Sequence, residues 1–162
     1  MNEIAWQPSA VVYANRDFFD LQTQSCRRLC FVDPAGAHFH FDAAVDDQTL
    51  GFAVNDALAA SRPLTPEQAS QLRATATVRY QAWVLALMSQ HGYKSRRAMF
   101  KSMRSCSIEL SGGHVRLIPW RRDGLEGWTG DGISEDEQVV VVADSPAGAI
   151  GAGLRLALER SG

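Results

Sequence analysis

Two periodicities of apolar residues run through this chain. Cys106, Ile108 and Leu110 alternate with Ser105, Ser107 and Glu109, and Val115 and Leu117 alternate with His114 and Arg116. A period of two belongs to a half-buried strand. Ser111-Gly112-Gly113 between the two runs therefore predicts a hairpin. Residues 10–14 form a further β-prone run. Residues 26–32 and 37–42 flank Asp33-Pro34-Ala35-Gly36, whose Asp, Pro and Gly stand where a type I turn prefers them, so a second hairpin is expected. Residues 138–143 are apolar at alternate and intervening positions alike, the mark of a strand central in its sheet.

Elsewhere the period is helical. Leu50, Val54, Ala57 and Leu58 share one stripe over residues 48–60. Thr65-Pro66-Glu67-Gln68 is a capping box with proline at the first helical position. The helix it opens runs to about residue 90, before His91-Gly92, with Trp83 expected in the core. A short basic helix is expected over 95–103 and a last helix over 147–160 behind Ser145-Pro146. Residues 120–136, with four glycines, read as a long loop. The stretch from Leu50 to Ser61 is echoed from Ile150 to Ser161. Each copy carries a glycine, Gly51 and Gly151, inside a helix, where glycine costs about 1 kcal/mol relative to alanine. Close packing of each helix on the sheet would account for that. The expectation is one α+β domain over residues 1–162, a largely antiparallel sheet with about four helices and two related halves.

Composition alone changes little: 162 residues, 46% hydrophobic and 21% charged, with a net charge of −2. That excludes a disordered tail, a collagen and a disulfide mini-protein. The distribution of charge is more informative. Leu29–Ser61 holds five acids and no Lys or Arg, and Asp123–Leu154 holds seven acids and again no base. Between them Lys94–Arg122 carries eight bases against Glu109 alone. The first fourteen residues lack a basic leader region, the longest apolar run is far short of a membrane span, and three cysteines fit a reducing compartment. A cytoplasmic location follows as an expectation.

Chemistry is sparse. His38 and His40 point to one face of a strand, and Cys26 and Cys30 lie nearby, so a zinc site or a hydrolase built on the histidines is conceivable. Two cysteines four apart on one strand are roughly 13 Å apart and cannot share an ion. His38, His40 and His114 have no carboxylate at a spacing that specifies acid–base catalysis. Gly127–Gly132 lacks the Lys and the strand-to-helix setting of a phosphate loop. No enzyme, metal or cofactor is expected. The basic segment 94–122, with Tyr93, Phe100 and Trp120, gives an alternative reading as a small nucleic-acid-binding module. The acidic loops favour a basic protein partner instead. The expected contact residues are Asp42, Asp46, Asp47, Asp131, Glu135, Asp136 and Glu137, with Trp128 as an aromatic anchor.

Tyr93-Lys94-Ser95-Arg96-Arg97, Phe100–Ile108, Ile118-Pro119-Trp120, Gly127-Trp128-Thr129-Gly130, Val139–Val142 and Ile150–Leu158 follow one another in an order and spacing that resembles the CdiI family, immunity proteins of bacterial contact-dependent growth inhibition. The resemblance covers residues 93–162. It implies a cytosolic inhibitor without enzymatic activity that binds the C-terminal toxin domain of a cognate CdiA effector, often a nuclease, in a 1:1 complex and blocks its active site. The matching motifs belong to the scaffold, so the resemblance transfers no binding site residue by residue.

Overall fold

The computed structural model describes residues 6–162. The reading of the amino terminus as lacking a leader rests partly on residues 1–5, outside the described residues. In chain order the elements are β1 (Ser9–Ala14), β2 (Phe18–Cys26), β3 (Cys30–Val32), β4 (His38–Asp42), α1 (Asp47–Ala59), α2 (Pro66–His91) and α3 (Arg96–Phe100). Then follow β5 (Arg104–Ser111), β6 (His114–Pro119), β7 (Arg121–Arg122), β8 (Trp128–Thr129), β9 (Val139–Val142) and α4 (Ala147–Arg160). Seven strands form one antiparallel sheet in the order β3-β2-β1-β5-β6-β9, with β4 on the same edge of β2 as β3; β7 and β8 pair separately. The α+β class and the four helices agree with the sequence reading.

Helices cover both faces of the sheet. Alternation along β1 sends Ala10, Val12 and Ala14 into a core with Leu50, Val54, Ile150 and Leu154 of α1 and α4. Tyr13 and Phe18 face the other way, onto Val84 and Leu87 of α2 and Met99 and Phe100 of α3. The capping box of α2 forms as expected, Thr65 Oγ1 accepting from Gln68 N at 3.2 Å and Gln68 Oε1 from Thr65 N at 2.9 Å. Gly92 ends the helix in the left-handed region, with φ 70°.

The halves are related by a pseudo-twofold axis through the β1–β5 ladder. Val11 pairs with Ser107, 96 residues on, and the strands run outward from there as β2 then β4 on one side and β6 then β9 on the other. Ser61 Oγ accepts from Ser9 N and donates to Gln24 O; Ser161 Oγ accepts from Ser105 N and donates to Trp120 O. The two helical glycines serve helix–helix rather than helix–sheet packing. A Cβ on Gly51 would overlap the carbonyl of Ala147, and one on Gly151 that of Asp47.

Several expectations need correction. β2 is a strand the hydrophobic pattern did not reveal, because Asp20, Gln22, Thr23 and Ser25 are polar and buried. The turn at 33–36 is present, Gly36 N donating to Asp33 O at 2.9 Å, but the segments flanking it pair with β2 and not with each other. β9 is an edge strand: Val139 and Val141 meet the core, while Val140 and Val142 are exposed. Trp83 is half-buried, since only Leu72, Val84 and Leu87 of α2 are fully buried. The basic helix shortens to α3, and the loop at 120–136 contains the β7–β8 ladder and the start of a 3-10 turn at Glu135–Glu137. Cys26 and Cys30 face each other across the β2–β3 turn and form a disulfide, which the reading of three cysteines as fitting a reducing compartment did not expect, while Cys106 is buried and free.

Candidate functional site

Between α2 and the β2–β3–β4 margin of the sheet lies a groove of about 660 Å³. α2 leaves it open because residues with which it lines the groove are small, such as Ala76 and Ala86, while Tyr80 and Trp83 stand as pillars. Phe31, Val32 and Pro34 supply apolar wall, and Gln22, Gln24 and His38 supply polar groups. A mostly apolar concavity with a few convergent polar groups is the usual form of a binding site.

One buried carboxylate organises its floor. Asp20, fully buried on β2, accepts from Trp83 Nε1 and Gln22 Nε2 on Oδ1, each at 2.9 Å. Its Oδ2 meets His38 Nε2 at 2.8 Å and His40 Nδ1 at 3.0 Å. Burial alone would raise the Asp20 carboxyl; the hydrogen bonds from His38, His40 and Trp83 and the charge of His38 outweigh it and hold it below the ordinary range. His38, hydrogen-bonded to that carboxylate, titrates above the ordinary histidine range. Burial, with Asp20 nearby, pushes the Tyr13 phenol up to about 12. The loop before β8 is strapped to α2: Tyr80 Oη donates to Glu126 Oε1 at 2.7 Å, and Arg96 grips the same carboxylate through two nitrogens at 2.9 and 2.8 Å.

The expected contact residues fall into two groups. Asp42, Asp46 and Asp47 stand where β4 leads into α1. Asp42 Oδ1 accepts from Ala44 N, Asp46 caps α1 by accepting from Thr49 N at 2.7 Å, and Asp47 takes Arg155 Nε at 2.6 Å. The backbone N–H of Thr49 holds the Asp46 carboxyl below its usual range. Asp131, Glu135, Asp136 and Glu137 precede β9. Glu137 pairs with Arg121 at 2.8 Å, whereas among the described residues Asp131, Glu135 and Asp136 are exposed and form no ion pair. α4 stands between the groups, with Arg155 beside one and Arg160 donating to the carbonyl of Glu137 in the other. The two groups are also not symmetry counterparts: Asp46 and Asp47 precede a helix, Glu135–Glu137 a strand. Trp128 is half-buried beside the groove, its ring centroid 5.6 Å from Tyr13 and 6.1 Å from Phe100, with the Arg122 guanidinium 5.0 Å above it.

The eight bases of 94–122 do not form one free patch. Arg96, Arg116 and Arg121 hold side chains of this chain, and Arg104 and Arg122 hold backbone carbonyls. Lys94, Arg97 and Lys101 remain exposed. Among the described residues no cluster of three or more His, Cys, Asp or Glu is placed to hold a metal, and the sulfurs of Cys26 and Cys30 are bonded to each other. Asp20 and His91 are the site residues that sequence reasoning missed. The available signal was the run of polar residues at 20, 22 and 24, a period of two that matches His38 and His40 on the neighbouring strand.

A family model for CdiI, the CDI immunity protein, matches residues 8–161. The chain is 36% identical to the immunity protein CdiI-YPIII of Yersinia pseudotuberculosis serotype O:3 (strain YPIII), over 99% of this chain and 98% of that protein. Its fold is similar to a chain of the CdiA-CT/CdiI toxin and immunity complex from Yersinia pseudotuberculosis, with a TM-score of 0.88 and 36% identity over 99% of this chain and 100% of that one. It is also similar to the protein of unknown function NMB0488 from Neisseria meningitidis, with a TM-score of 0.86 and 32% identity over 100% of this chain and 99% of that one. A match that runs through both halves, the inserted α2 and α3 and the groove between them places this chain in the CdiI family of CDI immunity proteins.

Proposed function

We propose that this chain binds the C-terminal toxin domain of a cognate CdiA effector in the cytoplasm, as a 1:1 complex, and neutralises it by covering the active site without catalysis of its own. The observation that carries this reading is the likeness, over the whole chain, to a chain of a solved toxin and immunity complex. Two surface features supply the means. The groove along α2 offers concave apolar area for a protruding segment of the toxin, with Trp128 backing Tyr13 in its wall. The acids at Asp42, Asp46, Asp47, Asp131 and Glu135–Glu137 draw in a basic surface, such as that of a nuclease, and raise the association rate.

Co-expression with a cognate CdiA C-terminal toxin domain tests both. The wild-type chain is expected to rescue growth and to co-purify with the toxin at equal stoichiometry. Ala86→Trp, which fills the groove from the exposed side of α2, is expected to abolish capture while the chain stays folded. Glu135→Lys with Asp136→Lys is expected to slow association about tenfold at low salt and little at high salt. Full protection by the Ala86→Trp chain would remove the groove from the interface, and an unchanged association rate would remove the acids.

A further inference from the structure

α2 is held to the sheet at its carboxyl end by a contact between two histidines. His91, the last residue of α2, places Nε2 at 2.8 Å from Nε2 of His40 on β4. The opposite nitrogen of His40, Nδ1, faces the Asp20 carboxylate at 3.0 Å. A carboxylate only accepts, so His40 Nδ1 carries a hydrogen. One hydrogen then lies between the two facing Nε2 atoms, donated by whichever imidazole holds it. When both rings are cations each Nε2 carries a hydrogen, and N–H is set against N–H with a positive charge on each ring. Phe18 packs against both rings, with centroids at 5.1 Å from His40 and 4.8 Å from His91, and so limits their room to slide apart.

We infer that the His40–His91 contact is a pH-sensitive latch that holds the end of α2 on the sheet while the pair carries at most one positive charge and releases it when both rings are protonated. The groups facing the pair set the balance. From the sheet these are Asp20, which takes the first proton's charge, and His38, which shares Asp20 Oδ2 and already competes for it. From α2 they are its terminal carbonyls, which favour a cation on His91, and from the segment after it Tyr93, whose ring centroid is 6.2 Å from His91. Free imidazoles protonate near pH 6.5. Where free imidazoles are protonated, the released state therefore binds one more proton than the latched state. Linkage then shifts the opening equilibrium about tenfold for each pH unit. Because α2 carries Ala76, Tyr80 and Trp83 of the groove wall, the latch controls that wall. Its consequence for a bound toxin rests on the toxin-binding reading, but the release of α2 does not and is measured on the free protein.

Hydrogen exchange of the amides of residues 84–92 in the full chain, corrected for intrinsic rates, tests the latch. Protection is expected to fall about tenfold between pH 6 and pH 5 in the wild type, and to stay level over that range in His91→Gln, which cannot acquire the second charge. Level protection in the wild type, or the same fall in the variant, overturns the proposal. Imidazole 15N shifts give a reading that needs no variant. Protonation of both His40 and His91 is expected in the same pH step as the loss of protection, and two imidazolium signals with protection intact overturn it equally.

Discussion

The two halves of the molecule share a scaffold and differ in what lies over one face of it. On the α1–α4 face they are equivalent down to the paired serines and the reciprocal glycine contacts. On the other face α2 and α3, inserted between the halves, cover β2 and β4, and among the described residues no helix covers β6 and β9. The residue types follow the cover. Asp20, fully buried under Trp83, has Arg116 as its counterpart 96 residues on, and the covered His40 corresponds to Val140, which is 48% exposed. A duplicated fold thus keeps its shared face for stability and places its groove, its buried carboxylate and its histidines where the symmetry is broken.

Breaking the shared face should cost most. A side chain on Gly51 or Gly151 meets backbone of the other helix, which cannot rotate away, so Gly51→Val and Gly151→Val should each lose about 3 kcal/mol or more in urea unfolding. Gly148→Ala, one turn earlier in α4 with open space around it, should leave stability unchanged or raise it by up to about 1 kcal/mol. Equal losses at 51 and 151 would uphold the symmetry; a loss at one alone would break it.

The counterpart pair Asp20 and Arg116 separates the two faces. Asp20→Ala strands Trp83 Nε1, Gln22 Nε2 and two imidazoles in a covered site and should cost roughly 2–3 kcal/mol. Arg116→Ala removes a half-exposed side chain with one long contact to Gln138 and should stay within about 0.5 kcal/mol. Thermal unfolding of the two variants side by side decides it.

The same contrast explains what was legible in the sequence. β6 and the helices α1 and α4 announce themselves because one face of each is covered and the other more exposed, so period and burial coincide; β5 announces itself by alternating apolar and polar residues although Ser105 and Ser107 are buried too. In β2 both faces are covered and one is polar, and its alternating Asp20, Gln22 and Gln24 look like solvent positions until α2 is placed over them. β9 misled in the opposite sense: four valines suggest a central strand, yet the open face of the second half leaves two of them in water. The acidic loops were visible as composition, but whether an acid is free or already capping a helix, as Asp46 is, depends on the fold. The carboxylate–histidine cluster left only a period of two in the sequence of β2 and β4, since Asp20, His40 and His91 are brought together from β2, β4 and α2 by tertiary packing.

A smaller and more symmetrical effect is expected at the serines. Ser61→Ala and Ser161→Ala each remove one acceptor from a strand-opening N–H and one donor to a carbonyl, in burial as alike as their partners. Each should cost about 1–2 kcal/mol by chemical denaturation, and the two values should agree within about 0.5 kcal/mol. A large difference would mean that cover on the far face reaches through the sheet to the shared one.

The smallest effect carries a sign. His38 is about half exposed and its pKa is raised by its hydrogen bond to Asp20, so its contribution is screened and amounts to under about 1 kcal/mol. A histidine raised in the folded state stabilises fully below its unfolded pKa and loses that contribution as pH rises through its folded pKa. His38→Gln should therefore cost more at pH 5.5 than at pH 8.5. Asp20 has the opposite limit, its lowered carboxyl contributing above the unfolded carboxylate range and losing that as pH falls through its folded pKa. Between those limits His38 and Asp20 are both charged and stability from the pair is greatest. If His38→Gln costs the same at both pH values, the imidazole is held by packing in the groove wall and its charge plays no part in keeping α2 in place.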